Sequence, residues 1–415
     1  MNSSPTTRPS SLLAISFSYP PQTEPRAIQV SRLLSHLKWP TVLLCEGSED
    51  DVPITDSTVS TVRVPLPVTS LRQFSMRVAS QFKIPVWFRT PDHLHPWKSR
   101  VLARVGEMIA SNQLQPELLL TFSFPLIDSI IGLELKRLYG YPWIAHFSDP
   151  WVDSPFKEYD SLTRALNLRL ERDVVETADR LVFTSAETAD LVMAKYPTVL
   201  RDKVRTLPHA YEAEIFLTPK LENNGRMVIR YLGDLYSGRT PRPLFHALRQ
   251  LVSSDPELVA RFRFEIVGDI HQLELKSMGL EELPENLLVL RGRVSYDQSS
   301  ELMASAHGLM VIDAPAPRGG KSVFLPSKLI EYVGAGRPII GLTPKGTAAD
   351  LITDLGGWVA DPADSAQLAS VMRSFLTFLA EHGEDSLPWG TPNVRKEFEA
   401  PNVARKFEKI LSELQ

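Results

Sequence analysis

Residues 233–240, with the sequence GDLYSGRT, have the composition of an anion-binding loop. They are predicted to follow a strand and to precede a helix, where free backbone amides and the helix dipole favour a phosphate group. The pattern lies one residue away from a nucleotide-binding P-loop, and Asp313, after an apolar strand, could be the accompanying metal-binding aspartate. However, Arg239 replaces the essential lysine, and Pro241 and Pro243 crowd the helix start. We favour a phosphate site, with an NTPase loop or a purely structural turn as the alternatives.

A second candidate lies at residues 324–340, FLPSKLIEYVGAGRPII. This pattern predicts a loop, a short helix, a glycine stop and a strand. Pro326 suits the start of the helix, and Ser327 is expected to be its N-cap. The predicted buried stripe is apolar and consists of Leu329, Ile330 and Val333. Glu331 lies off that stripe, where a carboxylate facing a cleft can accept both hydroxyls of a ribose. The alternative is a solvated glutamate favoured by the helix dipole.

A third group of polar residues follows the strand predicted at residues 143–147. If this segment is extended, alternation places His146 and Ser148 on one face. Ligands of open α/β sheets bind beyond the carboxyl ends of the strands. Asp149 and His146 are therefore candidates for contact with a ligand. The structural alternative for His146 is a half-buried strand histidine whose ring is satisfied by neighbours.

Composition limits the classes of protein to which the chain could belong. Its 415 residues are 43% hydrophobic and 23% charged, which indicates two or three folded domains and excludes large-scale disorder. A net charge of −4 argues against nucleic-acid binding through bulk charge. The single cysteine, Cys45, excludes an internal disulfide and a cysteine-based zinc site. His93 and His95 have no further ligand pattern nearby, so no metal is predicted. The apolar runs are too short to span a membrane, and we expect a cytoplasmic protein.

Short apolar runs alternate with helical patterns, and the series occurs twice along the chain. Continuous apolar strands between helices indicate a parallel sheet covered on both faces. The predicted fold class is therefore α/β, with two doubly wound Rossmann-like domains. The expected boundaries are a loose tail at residues 1–10, a first domain at 11–215 and a second at 220–394. A last helix, within residues 395–415, could pack back on the first domain.

These segments together resemble the family 4 retaining glycosyltransferases, which have the GT-B fold of two Rossmann-like domains facing across a cleft. PSKLIEYVGAGRPII (residues 326–340) is similar to the carboxyl-domain signature of that family. RYLGDLYSGR (230–239) is similar to its donor-phosphate loop, and RGRVSYDQSSELMASAHGLMVI (291–312) to its nucleobase side. WIAHFSDPW (143–151) is similar to the strand end that faces the sugar. The resemblance covers roughly residues 10–415.

The resemblance implies roles for residues in both domains. Glu331 matches the glutamate that holds the nucleotide ribose, and Arg239 matches the basic residue that stabilises the leaving diphosphate. Backbone amides of residues 325–328 would face the donor phosphates. The implied catalytic residues are Asp149, His146 and Arg239. The implied donor-binding residues are Gly233, Arg239, Arg293, Lys321, Leu325, Ser327, Lys328 and Glu331. No metal and no cofactor is implied, since the nucleotide sugar is itself the donor substrate.

Several positions depart from the family pattern. Val323 stands where a second glutamate usually contacts the donor sugar, and Asp234 replaces the arginine that usually follows the phosphate-loop glycine. PPQTEPR, at residues 20–26, replaces the usual Gly-Gly of the first loop. Arg318 and Lys321 could bind phosphate or be solvated loop residues. These departures leave the donor sugar and base open.

The resemblance implies transfer of a sugar from a nucleotide-diphosphate sugar to an acceptor hydroxyl, with retention, in the synthesis of a polysaccharide, glycolipid or other glycoconjugate. The first domain would bind the acceptor and the second would bind the nucleotide. Two alternatives stay open, a catalytically silent partner subunit of the GT-B fold and a P-loop-like nucleotidase.

Residues 71–104 carry seven basic residues and a single acid, Asp92. Aromatic and apolar residues, Trp97 among them, are interleaved with these charges. Such a mixture suits contact with anionic lipid headgroups. We therefore expect a glycan or lipid-linked acceptor, and peripheral contact with the inner face of the cell membrane through this segment. The alternative is a solvated basic helix whose apolar residues lie in the core.

Overall fold

The computed structural model describes residues 11–48, 58–67, 91–92, 94–155, 157–216, 221–222, 225–235, 238–270, 280–316, 320–383 and 388–415. The chain divides into two compact units. Met1–Pro208 and Val403–Gln415 form the first unit, and His209–Asn402 form the second. The predicted tail at 1–10, Arg318, and residues 71–90 and 93 of the basic segment lie outside the described residues.

The first unit is a parallel sheet with connecting helices. Its strands are β1 (Leu12–Ile15), β2 (Thr41–Glu46), β3 (Val59–Val64), β4 (Leu118–Phe122), β5 (Trp143–Phe147), β6 (Arg180–Phe183) and β7 (Val204–Thr206). Its helices are α1 (Pro25–Ser35), α2 (His95–Ala110), α3 (Ile127–Tyr139), α4 (Ser161–Thr177) and α5 (Ala186–Met193). The strand order is β3-β2-β1-β4-β5-β6-β7. The order reverses between β1 and β4, the point at which such sheets bind ligands.

The second unit repeats this architecture. Its strands are β8 (Met227–Leu232), β9 (Phe262–Val267), β10 (Leu288–Arg291), β11 (Gly308–Ile312), β12 (Ile339–Leu342) and β13 (Trp358–Ala360). Its helices are α6 (Arg242–Ser254), α7 (Pro256–Val259), α8 (Tyr296–Ser305), α9 (Ser327–Ala335), α10 (Thr347–Asp354), α11 (Ser365–His382) and α12 (Pro392–Lys396). The strand order is β10-β9-β8-β11-β12-β13, so the switch point lies between β8 and β11.

Alternate residues of β11 enter two different apolar cores. Met310 and Ile312 belong to one core, and Leu309 and Val311 belong to the other. The sheet of the second unit is therefore covered on both faces, as its continuous apolar strands predicted. The predicted α/β class with two parallel, Rossmann-like sheets is confirmed.

The final helix, α13 (Ala400–Ser412), begins in the second unit and from Val403 onward belongs to the first. Glu413 fixes this end of the chain, because its carboxylate accepts hydrogen bonds from Arg180 at 2.8 Å and from Arg205 at 2.7 Å. Glu408 adds a bond from the Lys38 amide at 2.9 Å. Within the ranges described here, no helix combines the length and apolar character needed to cross a bilayer.

Candidate functional site

Two glycines shape the carboxyl ends of β8 and β9. Gly233 follows β8 with φ of 125°, and Gly268 follows β9 with φ of 147°, both in the region that favours glycine. A Cβ atom on Gly268 would lie only 2.3 Å from the Gly233 carbonyl oxygen. The two turns therefore touch backbone to backbone. This close approach fixes the loop that begins at Gly233 beside the end of β9, while the switch point lies on the other side of β8, between β8 and β11.

Lys328, in the first turn of α9, fills the space that Gly233 leaves open. A Cβ atom on Gly233 would lie 2.6 Å from the Lys328 Nζ. That amine donates to the Tyr231 hydroxyl at 2.6 Å, and it lies 4.1 Å from the centroid of the Tyr231 ring. Burial, reinforced by the nearby charge of Arg239, lowers the pKa of Lys328 to about 7. The sequence placed Lys328 among the donor-binding residues, but it did not reveal the contact with Tyr231.

Arg239 lies in the same region and is held by Asp313. The Arg239 Nε donates to Asp313 Oδ1 at 3.2 Å, and its side chain is 10% exposed. The buried Asp313 carboxylate also accepts from the Ala314 amide at 2.9 Å and from the Ser322 hydroxyl at 3.2 Å. Asp313 thus joins the end of β11 to Arg239 on one side and to the loop that leads into α9 on the other.

The start of α9 differs from the prediction in one respect. Pro326 is the N-cap, with φ of −60° and ψ of 131°, and Ser327 is the first helical residue. The fixed φ of proline supplies the extended cap conformation without a side-chain hydrogen bond. Glu331 is 7% exposed, so the expectation of a solvated glutamate is wrong.

Tyr332 ties α9 to the end of β8. The Leu232 amide donates to the Tyr332 hydroxyl at 2.8 Å, and burial raises the pKa of this phenol. No role was predicted for this tyrosine, although it adjoins Glu331. Its hydroxyl fixes how the first turns of α9 lie against the Gly233 turn.

Arg293 and Asp234 form an ion pair at the outer edge of this region. The Asp234 carboxylate accepts from Arg293 Nε at 3.1 Å, from Arg293 Nη2 at 2.7 Å, and from the Asp269 amide at 2.8 Å. Burial opposes ionisation, but these hydrogen bonds outweigh it and lower the pKa of Asp234. Asp234 stands where the resemblance led us to expect an arginine. The guanidinium of Arg293, which follows β10 and is 68% exposed, pairs with it instead.

The loop before α9 is fixed by backbone pairing. The Ser322 amide donates to the Lys345 carbonyl at 2.8 Å, and the Thr347 amide donates to the Ser322 carbonyl at 3.3 Å. Lys321 is exposed, Val323 is half-buried and Leu325 is buried. The structure therefore brings Gly233, Arg239 and Lys328 together, while Lys321 and Leu325 lie on the neighbouring loop.

In the first unit, His146 and Asp149 lie at the carboxyl end of β5. His146 is buried, with its ring 5.4 Å from the Phe122 ring. Asp149 is half-buried and accepts from the Ser148 hydroxyl at 3.2 Å. The Trp151 indole is buried and donates to Asn167 Oδ1 at 2.8 Å, so its role is packing.

Two charged residues near Asp149 were not identified from the sequence. Arg26, at the start of α1, donates to the Ser123 carbonyl, and burial lowers its pKa to about 10 against the opposing charges of Asp149 and Asp128. Asp128, in the first turn of α3, is fully buried and accepts from the Phe17 amide at 2.9 Å. Burial raises the pKa of Asp128 well above its ordinary value. The sequence did contain a signal for Asp128, since it is an acidic residue within the most apolar run of the chain.

The described part of the basic segment contradicts one expectation. Trp97 is fully buried in the core of the first unit, and its indole donates to the Val64 carbonyl at 2.8 Å. Trp97 is therefore not available to a lipid surface. Lys98 lies 3.6 Å from Glu134 and Arg104 lies 3.4 Å from Glu107, so acids partly offset this charge. Among the residues that the structure describes, no group of three or more His, Cys, Asp or Glu side chains could hold a metal ion.

Comparison with known proteins agrees with this architecture. A sequence profile of the glycosyl transferase 4-like domain matches residues 23–210. No curated protein matches the chain significantly. Sucrose-phosphate synthase from Thermosynechococcus elongatus is 15% identical, with a TM-score of 0.69 over 98% of this chain and 99% of that one.

Two further solved structures have the same fold. An E. coli structure described as trehalose-6-phosphate bound with UDP-2-fluoro glucose is 14% identical, with a TM-score of 0.63 over 98% of this chain and 99% of that one. A UDP-forming alpha,alpha-trehalose-phosphate synthase from Burkholderia xenovorans, in complex with glucose-6-phosphate, is 13% identical. Its TM-score is 0.66 over 98% of this chain and 100% of that one. The first unit therefore matches the glycosyl transferase 4-like domain, and the chain as a whole has the fold of these three solved structures.

Proposed function

We propose that the protein transfers a sugar from a nucleotide-diphosphate sugar to an acceptor hydroxyl, with retention and without a metal. The observation that carries this proposal is the placement of two cationic side chains, Arg239 and Lys328, beside the Gly233 turn at the switch point of the second sheet. Helix α9, whose Glu331 is buried, adjoins the Gly233 turn through the Tyr332 hydroxyl.

The chemistry of this site suits a leaving diphosphate. Breaking the bond between the sugar and the diphosphate leaves negative charge on the phosphate oxygens. Arg239 and the amides at the α9 N-terminus are preorganised positive groups that stabilise such charge, and Lys328 adds to them when it is protonated. Glu331 would accept hydrogen bonds from the ribose hydroxyls, and Arg293 would contribute on the nucleobase side. With cationic side chains in this role, the transfer is expected to proceed in EDTA.

The acceptor would bind at the carboxyl edge of the first sheet. Asp149 and His146 lie at that edge, with the half-buried Arg26 and the buried Asp128 close by. Hydroxyl groups of a sugar suit such a mixture of donors and acceptors. The Burkholderia xenovorans relative binds glucose-6-phosphate. A glycan or sugar phosphate is accordingly the class of acceptor proposed, in the synthesis of a polysaccharide, glycolipid or other glycoconjugate.

Membrane contact is a separate part of the proposal. It is supported by the basic and aromatic sequence of residues 71–90 in a protein expected in the cytoplasm, and not by Trp97. Sedimentation with anionic and neutral vesicles at low and high salt tests it. Binding should require anionic lipid and weaken with salt, because screening shortens the range of the charges. If the protein ignores vesicles, the membrane part is wrong and the transfer part is unaffected.

A screen of nucleotides tests the central proposal. Thermal unfolding is followed with UDP, GDP, ADP and dTDP, then with the sugar derivatives of the nucleotide that stabilises the protein. A ligand at 100 times its Kd should add about 2.7 kcal/mol to the free energy of unfolding. Transfer to candidate acceptors is then followed by NMR, which also reports the configuration at the new bond. Nucleotide binding with neither transfer nor hydrolysis would favour a silent partner subunit. ATP hydrolysis that requires Mg²⁺ would favour a nucleotidase.

A further inference from the structure

We infer that the second unit binds the diphosphate in a proton-coupled manner, in which Lys328 takes a proton from solvent as the diphosphate becomes its counter-ion. This inference rests on the proposed function and deepens it. It assigns to Lys328 a role that neither Arg239 nor the helix amides can share, since those groups do not change protonation near neutral pH.

The surroundings of the amine are the first support. Lys328 Nζ has the Tyr231 hydroxyl 2.6 Å away and the Tyr231 ring beneath it at 4.1 Å. Among the residues that the structure describes, no carboxylate lies within ion-pair distance of this amine. Tyr231 offers a neutral oxygen and an aromatic face, which stabilise an ammonium less than a carboxylate does.

The nearby acids are already bound to arginines. Asp313 pairs with Arg239 at 3.2 Å, and Asp234 pairs with Arg293 through two hydrogen bonds at 2.7 and 3.1 Å. These carboxylates still favour the charged amine from a distance, while Arg239 opposes it. With burial added, the pKa of Lys328 falls to about 7, so the amine is largely neutral at pH 8.

The place of the amine explains why a phosphate would reach it. The Lys328 amine lies directly against Gly233, so closely that a Cβ atom on this glycine would be only 2.6 Å from Nζ. Lys328 is also the second residue of α9, where the backbone amides and helix dipole favour an anion. A diphosphate beside the Gly233 turn would therefore bring negative charge to an amine that lacks a carboxylate partner, and would raise its pKa.

A measurable linkage follows. Above pH 7 the free protein must take up a proton to form the charged, diphosphate-bound state, so the apparent affinity falls as pH rises. If the bound amine titrates at pH 9 or above, binding at pH 8 takes up about 0.8 proton, and affinity falls about sixfold between pH 7.5 and 8.5. A nucleoside diphosphate is itself fully ionised in this range and contributes no proton.

Calorimetry of the full-length protein tests this directly. Binding of UDP and GDP is measured at pH 8 in two buffers that differ in ionisation enthalpy. A difference in apparent binding enthalpy between the buffers gives the number of protons taken up. The matching nucleoside, which lacks phosphates, should show none. Lys328→Met should abolish the uptake and weaken diphosphate binding, while Lys396→Met, on the exposed face of α12, should leave both unchanged.

A second variant, Lys328→Arg, keeps the test possible if Lys328→Met fails to fold. Its arginine stays charged at every pH used. It should bind the diphosphate at pH 8 with no proton uptake and with an affinity independent of pH. Diphosphate binding by the parent protein with no dependence on buffer would overturn the inference and leave the proposed function standing. Uptake that persists in Lys328→Met would overturn the assignment to Lys328. If no diphosphate binds at all, the inference and the proposed function both fail.

Discussion

Two groups of charged side chains in the second unit are held in different ways. One is the ion-pair network around Arg230, between β8 and β9. The other is the group of Arg239, Asp313 and Lys328 at the carboxyl end of β8. Both draw on the same strand, yet only the second leaves a cation without a carboxylate partner among the described residues.

In the network, every guanidinium nitrogen of Arg230 has an acceptor. Nε donates to Glu265 at 2.7 Å, Nη1 donates to the Leu302 carbonyl and the Ser305 hydroxyl at 2.9 Å, and Nη2 donates to Glu222. Neither Arg230 nor Glu265 is exposed. Removing these charges from water has a desolvation cost, which the complete pairing of the guanidinium offsets.

At the end of β8 the pairing is incomplete. Arg239 and Asp313 satisfy each other, and Lys328 is left with a tyrosine. Burial and the nearby charge of Arg239 lower the pKa of Lys328, and no carboxylate among the described residues pairs with it to offset them. The Arg230 network is thus neutralised within the fold, whereas we expect Lys328 to receive its counter-ion from the ligand. Four substitutions test this contrast.

Arg230→Met should have the largest effect, and on stability rather than activity. It strands the Glu265 carboxylate in the core, and breaking a buried pair in this way costs about 3–5 kcal/mol. We expect the lower end, because Arg263 and Arg291 still face Glu265 at 3.0 and 3.3 Å. Chemical denaturation measures the loss. Arg249→Met, which removes an exposed pair with Glu282, should cost less than 1 kcal/mol. Equal losses in the two variants would contradict the contrast.

Arg239→Ala should lower turnover by about 10²-fold, the size expected for one electrostatic contact to a developing charge. Its effect on the binding of the nucleoside alone should be much smaller. Steady-state kinetics with the donor identified by the nucleotide screen measures both, with Arg249→Ala as the control. A loss confined to nucleoside affinity would show that Arg239 does not act on the leaving diphosphate.

Glu331→Gln should raise the donor KM or lower turnover by roughly tenfold. The amide keeps the shape of the side chain but removes a charge-assisted acceptor worth about 1.5–3 kcal/mol. Folding should be intact, as judged by thermal unfolding, and Glu285→Gln on an exposed loop should be silent. Unchanged kinetics in Glu331→Ala would rule out a role in holding the ribose.

Asp128→Asn extends the contrast to the first unit and should have the smallest effect. The folded state holds the proton of Asp128 more tightly than the unfolded chain does, since burial raises its pKa. Its contribution to stability is therefore lost as pH rises from about 4 through the folded pKa. Asparagine stays neutral and can still accept from the Phe17 amide, so the variant should be roughly 1 kcal/mol more stable at pH 7. At pH 3 the two proteins should unfold alike; a variant destabilised at both pH values would refute this account.

Much of the fold follows from local sequence. Four consecutive apolar residues, at 309–312, predicted β11, and the continuous strands of the second half predicted a sheet covered on both faces. Helix starts follow less directly from the sequence. Helix α2 begins at His95 and α1 at Pro25, whereas their apolar patterns begin only at residues 101 and 27. In both helices a proline occupies the first turn, which sequence periodicity alone does not count as helical. The elements between β12 and the last helix, including α11, were not predicted.

The sequence by itself determined which loops follow which strands, and hence that Arg239, Lys328, Glu331 and Asp149 lie at carboxyl ends of strands. The tertiary structure alone decided which of these groups meet. Lys328 lies 97 residues from Tyr231, and Asp313 lies 74 from Arg239. Ion pairing, burial and the resulting pKa depend on distances of a few ångströms between such positions. A periodic pattern of apolar residues carries no information at that scale. The pairing of Lys328 with Tyr231, and not with a carboxylate of the described residues, therefore became visible only once the chain was folded.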